Sequence, residues 1–264
     1  MTVKTRREGA ALIVELDNPP VNAIGQPMRA GLAEVLDSLP LEGVTRVILT
    51  GRGRAFAAGA DAREFDGPAL EPHLNEVIAR IERCETPWIA AINGIALGGG
   101  LELALACRYR IATPGTQLGL PEVTLGIVPG SGATQRLPRL IGIARALEMI
   151  PTGKPVLSEQ AEAIGLIDGI ADDPVSIAVH LDEGSVTLAP RICDLPRPAA
   201  TPDAVAAARA LVDRKQPGQI APRRAIDLIE ATATRSMAEG LAEERETFLT
   251  LRKGDQARAL RHVF

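Results

Sequence analysis

Apolar and polar positions alternate over the first sixteen residues, and the pattern predicts two short strands, Thr2–Arg7 and Ala10–Leu16, joined by a turn at Glu8-Gly9. Asn18-Pro19-Pro20 then breaks the chain. From Gln26 to Ser38 the period changes: Met28, Leu32, Val35, Leu36 and Leu39 recur at helical spacing and predict an amphipathic helix. The short apolar, β-branched run Val44–Thr50 reads as a strand, followed by a long loop marked by Gly51, Gly53 and Gly59. A helix is expected over Ala69–Cys84, closed by Thr86-Pro87. After it come a buried strand at Trp88–Asn93, a glycine turn, and a helix at Leu101–Cys107.

Strand–helix–strand alternation of this kind implies an α/β core with covered sheet faces. Beyond Tyr109–Thr113 helical patterns dominate, at Ala133–Ile150, Ser158–Ile164 and Pro174–Leu181. A proline-spotted connector, Leu188–Pro202, precedes a stretch that reads as helical from Asp203 to Phe264. The expected division is therefore an α/β core over residues 1–188 and a helical C-terminal region over 189–264.

The most membrane-like segment, Trp88–Cys107, is interrupted by Asn93, Glu102 and four glycines. A carboxylate near a bilayer centre costs about 2.5–3.5 kcal/mol, so the segment reads as soluble core. Composition narrows the choices further. The 264 residues carry 29 Lys+Arg against 33 Asp+Glu, a net charge of −4, and only six aromatic side chains (four Phe, one Trp, one Tyr). Neither the field nor the stacking surface of a nucleic-acid binder is there. Cys84, Cys107 and Cys193 match no zinc spacing, and His73, His180 and His262 form no HxxxH or HExxH pair. A metal site and a histidine triad are not expected, and a reducing, cytoplasmic setting fits three dispersed cysteines.

Two glycine-containing turns follow predicted strands: Phe56-Ala57-Ala58-Gly59-Ala60-Asp61, and Asn93-Gly94 through Gly98-Gly99-Gly100. The second opens a helix, where the first N–H groups lack intrahelical partners and the dipole favours negative charge. Taken alone, both are equally read as tight turns that pack strands on helices; neither fits GxGxxG. Glu102 lies three residues after Gly99, on the same helical face, among Leu101, Leu103, Ala104, Leu105 and Ala106. A carboxylate there is costly to bury unless backbone donors satisfy it or chemistry employs it. Glu122, in Gly119-Leu120-Pro121-Glu122-Val123, is either a helix N-terminal carboxylate or a second acid/base group.

In these pieces the sequence resembles the enoyl-CoA hydratase/isomerase (crotonase) family. The ordered set runs from Asn18-Pro19-Pro20-Val21-Asn22-Ala23, through Leu49-Thr50-Gly51, Phe56–Asp61, Ala91–Gly94 and Gly98–Glu102, to Leu120-Pro121-Glu122, Gly126–Leu137 and Thr152-Gly153-Lys154. The tail, Gly240–Phe248 and Asp255–Phe264, is similar to the end of the hydratase/isomerase half of multifunctional β-oxidation enzymes, where a dehydrogenase part follows. The resemblance implies a spiral of ββα units with a helical C-terminal region.

It also implies roles. Ala60 and Gly99 would supply the backbone N–H groups of an oxyanion hole for an acyl-CoA thioester, and Glu102 and Glu122 would be the catalytic pair. Glu102 is assigned mainly to the water that attacks C3, Glu122 mainly to the C2 proton. Ala58, Asp61, Ala62, Arg63, Gly98, Pro121 and Gly130 fall at substrate-binding positions, Ala62 and Arg63 departing from the more frequent Ile/Leu and Lys. Phe65–His73 is where the family shapes its acyl pocket. The implied activity is hydration of a trans-2-enoyl-CoA, with 3-enoyl to 2-enoyl isomerisation through Glu122 as the alternative, and no cofactor beyond the CoA ester itself. Hydrolase, decarboxylase and dehalogenase members share the fold, and the glutamate pair argues against them. A non-catalytic acyl-CoA- or RNA-binding relative is the remaining class, disfavoured for RNA by the charge. The partners implied are an acyl-CoA and either further copies, as a trimer or dimer of trimers, or a fused dehydrogenase domain; no nucleic acid and no membrane is expected.

Overall fold

The computed structural model describes residues 2–64, 67, 68 and 70–263. The chain opens with β1 (Val3–Glu8) and β2 (Ala11–Leu16), an antiparallel pair turning at Gly9, where φ is +57°. Then follow α1 (Gln26–Ser38), β3 (Arg46–Gly51), α2 (Leu74–Arg83), β4 (Trp88–Ile92), β5 (Ile95–Leu97) and α3 (Gly99–Ala106). Next are β6 (Tyr109–Ala112), β7 (Gln117–Gly119), α4 (Ala133–Ile141), α5 (Ile143–Met149), β8 (Val156–Leu157), α6 (Ser158–Ala163), β9 (Gly169–Ile170), α7 (Pro174–His180) and α8 (Glu183–Leu188). The chain finishes in α9 (Pro202–Lys215), α10 (Ala221–Ala231), α11 (Met237–Arg252) and α12 (Asp255–Val263).

The chain forms two compact units, Met1–Leu118 with Leu157–Asp194, and Gly119–Val156 with Leu195–Phe264. The boundary expected near residue 188 falls close to the end of the first unit, while Gly119–Val156, which a cut along the sequence leaves in the core, groups with the C-terminal helices.

In the first unit a six-stranded sheet runs β1-β2-β3-β4-β6-β9, parallel from β2 onward. Parallel neighbours need crossovers, and α1, α2 and α3 lie in the three that lead from β2 to β6. Ile13, Ile48, Ile89, Ala91 and Ile111 line one face under Ala178 of α7. The alternate residues Leu12, Val14, Val47, Leu49, Ala90 and Ile92 are buried as well, which is why these strands read as continuous apolar runs. Beyond Val3, the edge strand β1 is exposed and carries Lys4, Arg6 and Arg7, charges that discourage edge-to-edge pairing. A small second sheet, β5-β7-β8, takes one strand after β4 and one after β6, so the expected ββα repeat is visible as β4-β5-α3.

The differences from expectation have local causes. The second helix begins at Leu74 rather than Ala69, which lies outside the described residues. Pro72 disfavours helix before it, and His73 caps the start, its N–H donating to Glu76 Oε2 at 3.0 Å. The helix predicted over Ala133–Ile150 is two helices, parted by Gly142 at φ +83° and ψ 158°. The C-terminal stretch is divided at Gly218 and Gly254 and by the capping box of Ser236 and Glu239. Short β7, β8 and β9 interrupt the predicted helical middle; two or three residues leave no readable period.

Trp88–Cys107 resolves into β4, β5 and α3, and among the described residues no helix is long and apolar enough to cross a membrane. Cys84, Cys107 and Cys193 carry thiols rather than disulfides, and burial pushes the Cys107 thiol up to about 12.

Candidate active site

The candidate chemistry of the first unit gathers where three segments meet: Asn18–Gly25, Gly51–Asp61 and Asn93–Gly98, the last of which includes β5. Two buried or half-buried asparagines hold them. Asn22, at φ +54°, donates through Nδ2 to the carbonyls of Arg52 (3.0 Å) and Ala55 (2.7 Å) and accepts the Asn18 N–H at 2.8 Å. Asparagine tolerates that left-handed backbone better than most residues. Asn93 accepts the Gly51 N–H at 3.2 Å and donates to the Gly53 carbonyl at 2.9 Å. In the sequence both stand inside matched motifs with no role attached; a short amide side chain beside loop glycines is the signal for such a brace.

Backbone bonds continue the frame. Phe56 N–H donates to the carbonyls of Asn93 and Ile95 at 2.7 and 3.0 Å, Leu97 N–H to Ala57 at 3.0 Å, and Ala58 N–H to Val21 at 3.0 Å. Ile24 and Ala60 form a parallel bridge in which Ile24 N–H donates to Gly59 (2.9 Å) and Asp61 N–H to Ile24 (3.3 Å). A parallel bridge uses the groups flanking its partner residue, so the Ala60 N–H is turned away from Ile24.

Gly98, at φ +52° and ψ −126°, turns the chain into α3, and that conformation excludes side chains with a Cβ. Gly99 is the first helical residue, so its N–H has no acceptor within the helix. The two amides are neighbours: a Cβ built on Gly99 would lie 3.6 Å from the Ala60 nitrogen, with Leu74 Cδ2 at 2.7 Å and Ile24 Cδ1 at 3.6 Å. One turn on, Glu102 N–H donates to the Gly98 carbonyl at 3.0 Å, and its side chain belongs to a residue only 3% exposed. All eight residues of α3 are buried, and the helix N-terminus favours a carboxylate at this place.

Asp61, Ala62 and Arg63 leave the site through a 3-10 turn, Ala62–Glu64. Arg63 Nη2 lies 2.6 Å from Asp61 Oδ2, and Arg63 Nε reaches Oδ1 at 2.9 Å. These hydrogen bonds hold the Asp61 carboxyl below its ordinary range and raise the Arg63 guanidinium, whose side chain is 83% exposed. The expectation for Phe65, Asp66 and Ala69 lies outside the described residues.

Glu122, Pro121 and Gly130 belong to the second unit. Pro121 opens a 3-10 turn, Pro121–Leu125, that carries Glu122 half-buried and ends at Gly126. Thr124 Oγ1 donates to the Pro121 carbonyl at 2.7 Å, and α10 and α12 pack on the turn. A Cβ on Gly130 would meet the Phe248 ring of α11 at 2.6 Å, so this glycine serves helix packing. Among the described residues no cluster of three or more His, Cys, Asp or Glu could hold a metal ion.

The arrangement in the first unit can hold a developing negative charge on two fixed N–H groups and move a proton with a buried carboxylate. The chain is similar to known proteins over most of its length. The family model described as Enoyl-CoA hydratase/isomerase matches residues 6–248. The Peroxisomal bifunctional enzyme of Danio rerio is 40% identical over 259 residues, 96% of this chain and 36% of that protein. The Probable enoyl-CoA hydratase of Bacillus subtilis is 43% identical over 173 residues, 62% of this chain and 67% of that protein. A solved enoyl-CoA hydratase of Bacillus anthracis superposes with a TM-score of 0.63 at 30% identity, covering 97% of this chain and 92% of that one. The chain spans 36–38% of the length of the bifunctional relatives from fish and mammals.

Proposed function

Since this chain belongs to the enoyl-CoA hydratase/isomerase family and has its crotonase-like α/β fold, we propose that it adds water to a trans-2-enoyl-CoA to give a 3-hydroxyacyl-CoA, a step of fatty-acid β-oxidation. The observation that carries this reading is the pairing of the Ala60 and Gly99 amides one helical turn from buried Glu102. The two N–H groups receive the thioester oxygen and stabilise the enolate that forms when oxygen attacks C3, without reorganising. Glu102 takes a proton from the attacking water, and Glu122 delivers one to C2; water's oxygen ends on C3 and a hydrogen on C2. For Glu122 the role rests on its place in Leu120-Pro121-Glu122 and on its half-buried carboxyl. Chemistry of this kind asks for no redox group. Asp61 and Arg63 satisfy each other, so we read them as shaping the turn after Ala60, with Ala58 and Gly98 contributing backbone near the CoA ester.

The expected result is hydration of crotonyl-CoA to 3-hydroxybutyryl-CoA, with Glu102→Gln and Glu122→Gln each lowering turnover by about 10²–10⁴ while CoA-ester binding persists. A wild-type chain that binds crotonyl-CoA and releases no hydroxy product would falsify the hydratase reading and favour a binding role. Presenting a 3-enoyl-CoA to the same variants reads the isomerase alternative, whose signature is loss in Glu122→Gln alone. We infer a cytoplasmic chain from its unbridged cysteines, and an assembly of three or six copies when it stands alone, which light scattering reads.

A further inference from the structure

Arg29 has no part in the chemistry above, yet its side chain is 8% exposed and every nitrogen of its guanidinium is engaged. Nε donates to the Pro72 carbonyl at 2.7 Å and Nη2 to the Leu70 carbonyl at 2.9 Å. Nη1 lies 2.7 Å from Glu64 Oε2 and 3.4 Å from the Ile24 carbonyl. Glu64 in turn accepts the Gln26 N–H at 2.6 Å, occupying an amide at the start of α1 that the helix leaves open. Ile24 is the residue that braces Ala60, because its carbonyl also accepts the Asp61 N–H and its own N–H donates to Gly59. Pro72 leads into Leu74, whose side chain lies against Gly99. One guanidinium on α1 therefore ties together the brace behind Ala60, the turn after it, and the chain that returns to cover Gly99.

We propose that Arg29 is a positioning residue that sets the Ala60 amide against the Gly99 amide; this rests on the oxyanion reading above. The chemistry suits arginine alone. Its rigid fork carries five donors spread over three nitrogens, whereas a lysine nitrogen reaches one or two of these four acceptors. A buried ion pair contributes little net stability against its desolvation cost. What Arg29 secures is geometry, and misplacing a reacting group by about 1 Å costs up to about a hundredfold in rate.

The test compares Arg29→Lys with Arg46→Lys. Arg46 is a buried arginine of the same unit that donates to the Leu181 and Ala178 carbonyls at the C-terminal end of α7. With crotonyl-CoA, Arg29→Lys is expected to lower kcat by about tenfold to a hundredfold with KM nearly unchanged, and hydrogen exchange to rise in peptides covering 58–64 and 70–76. Arg46→Lys is expected to lower the melting temperature and leave kcat near wild type. Glu64→Gln, which keeps the shape and removes the charge, should lower kcat in the same direction by less and serves if Arg29→Lys fails to fold. Wild-type kcat in Arg29→Lys, or an equal loss in Arg46→Lys, overturns the proposal. If the wild-type chain does not hydrate crotonyl-CoA, the hydratase reading falls by itself. The infrared carbonyl stretch of bound butanoyl-CoA then decides on Arg29. A downshift in wild type that shrinks in Arg29→Lys supports the proposal; an equal stretch in both overturns it.

Discussion

Gly99 and Gly100 are adjacent and differ in what stands over them. A Cβ on Gly99 meets the far end of the Leu74 side chain, which can turn aside, while one on Gly100 runs into the Ala57 carbonyl, which is held by Leu97 N–H. Gly100→Ala is therefore expected to cost about 2–3 kcal/mol and Gly99→Ala under about 1.5 kcal/mol, read from urea midpoints at unchanged slope. Equal penalties would mean that the two loops are not in the register described. At this scale the sequence was informative about Glu102, because a carboxylate inside an apolar helical run stands out. It assigned no role to Asn22, Asn93 or Arg29. The carbonyls to which Asn22 and Asn93 donate lie 30 or more positions away, and Arg29 reaches carbonyls 41 and 43 positions away; nothing in local composition reports such bonds.

Helix ends decide where the elements of the second unit stop. Glu244 of α11, 1% exposed, reaches back to the start of α4 and accepts the Gly132 N–H at 2.5 Å, the Thr134 N–H at 2.8 Å and the Thr134 hydroxyl at 2.6 Å. A carboxylate on open helix amides is favoured by both hydrogen bonding and the dipole. Glu244→Ala leaves three buried donors without it and is expected to cost about 3 kcal/mol or more in chemical unfolding. Arg145→Ala, which breaks the exposed pair with Glu148, should change stability by less than about 0.5 kcal/mol. Similar losses would show that Glu244 is not the cap. Strands β1 to β4 and helix α1 were legible because each is long enough to show its period. The break at Gly142 and the short β7, β8 and β9 were not, since a two- or three-residue element has no period and owes its existence to the strand beside it.

Across the molecule, stability at low pH follows the carboxylates whose partners depress them. Asp17 is lowered by Lys4, Asp61 by Arg63, Glu239 by Ser236 and Glu159 by backbone N–H groups, from ordinary values of 3.8 for Asp and 4.5 for Glu. The folded chain then binds fewer protons than the unfolded chain in this range, so stability is full above the ordinary values and falls as pH drops through the depressed ones. The melting temperature should be level above about pH 5, decline progressively below it, and decline less in Arg63→Ala, where Asp61 has lost its partner. A melting temperature that rises on acidification contradicts the assignment. Added salt should shrink the contributions of Asp17 and Asp61, because their partners Lys4 and Arg63 reach into solvent. The sequence alone determined the α/β class, the family pattern and the short list of glycines and glutamates, since hydrophobic period and turn chemistry are local properties. Only the tertiary structure decided that the Ala60 and Gly99 amides are neighbours and that Gly119–Val156 groups with the C-terminal helices. It likewise decided that Arg29 binds the frame together. Each of these is a contact between distant stretches of chain, and such contacts are set by packing and backbone hydrogen bonds that the order of residues does not display.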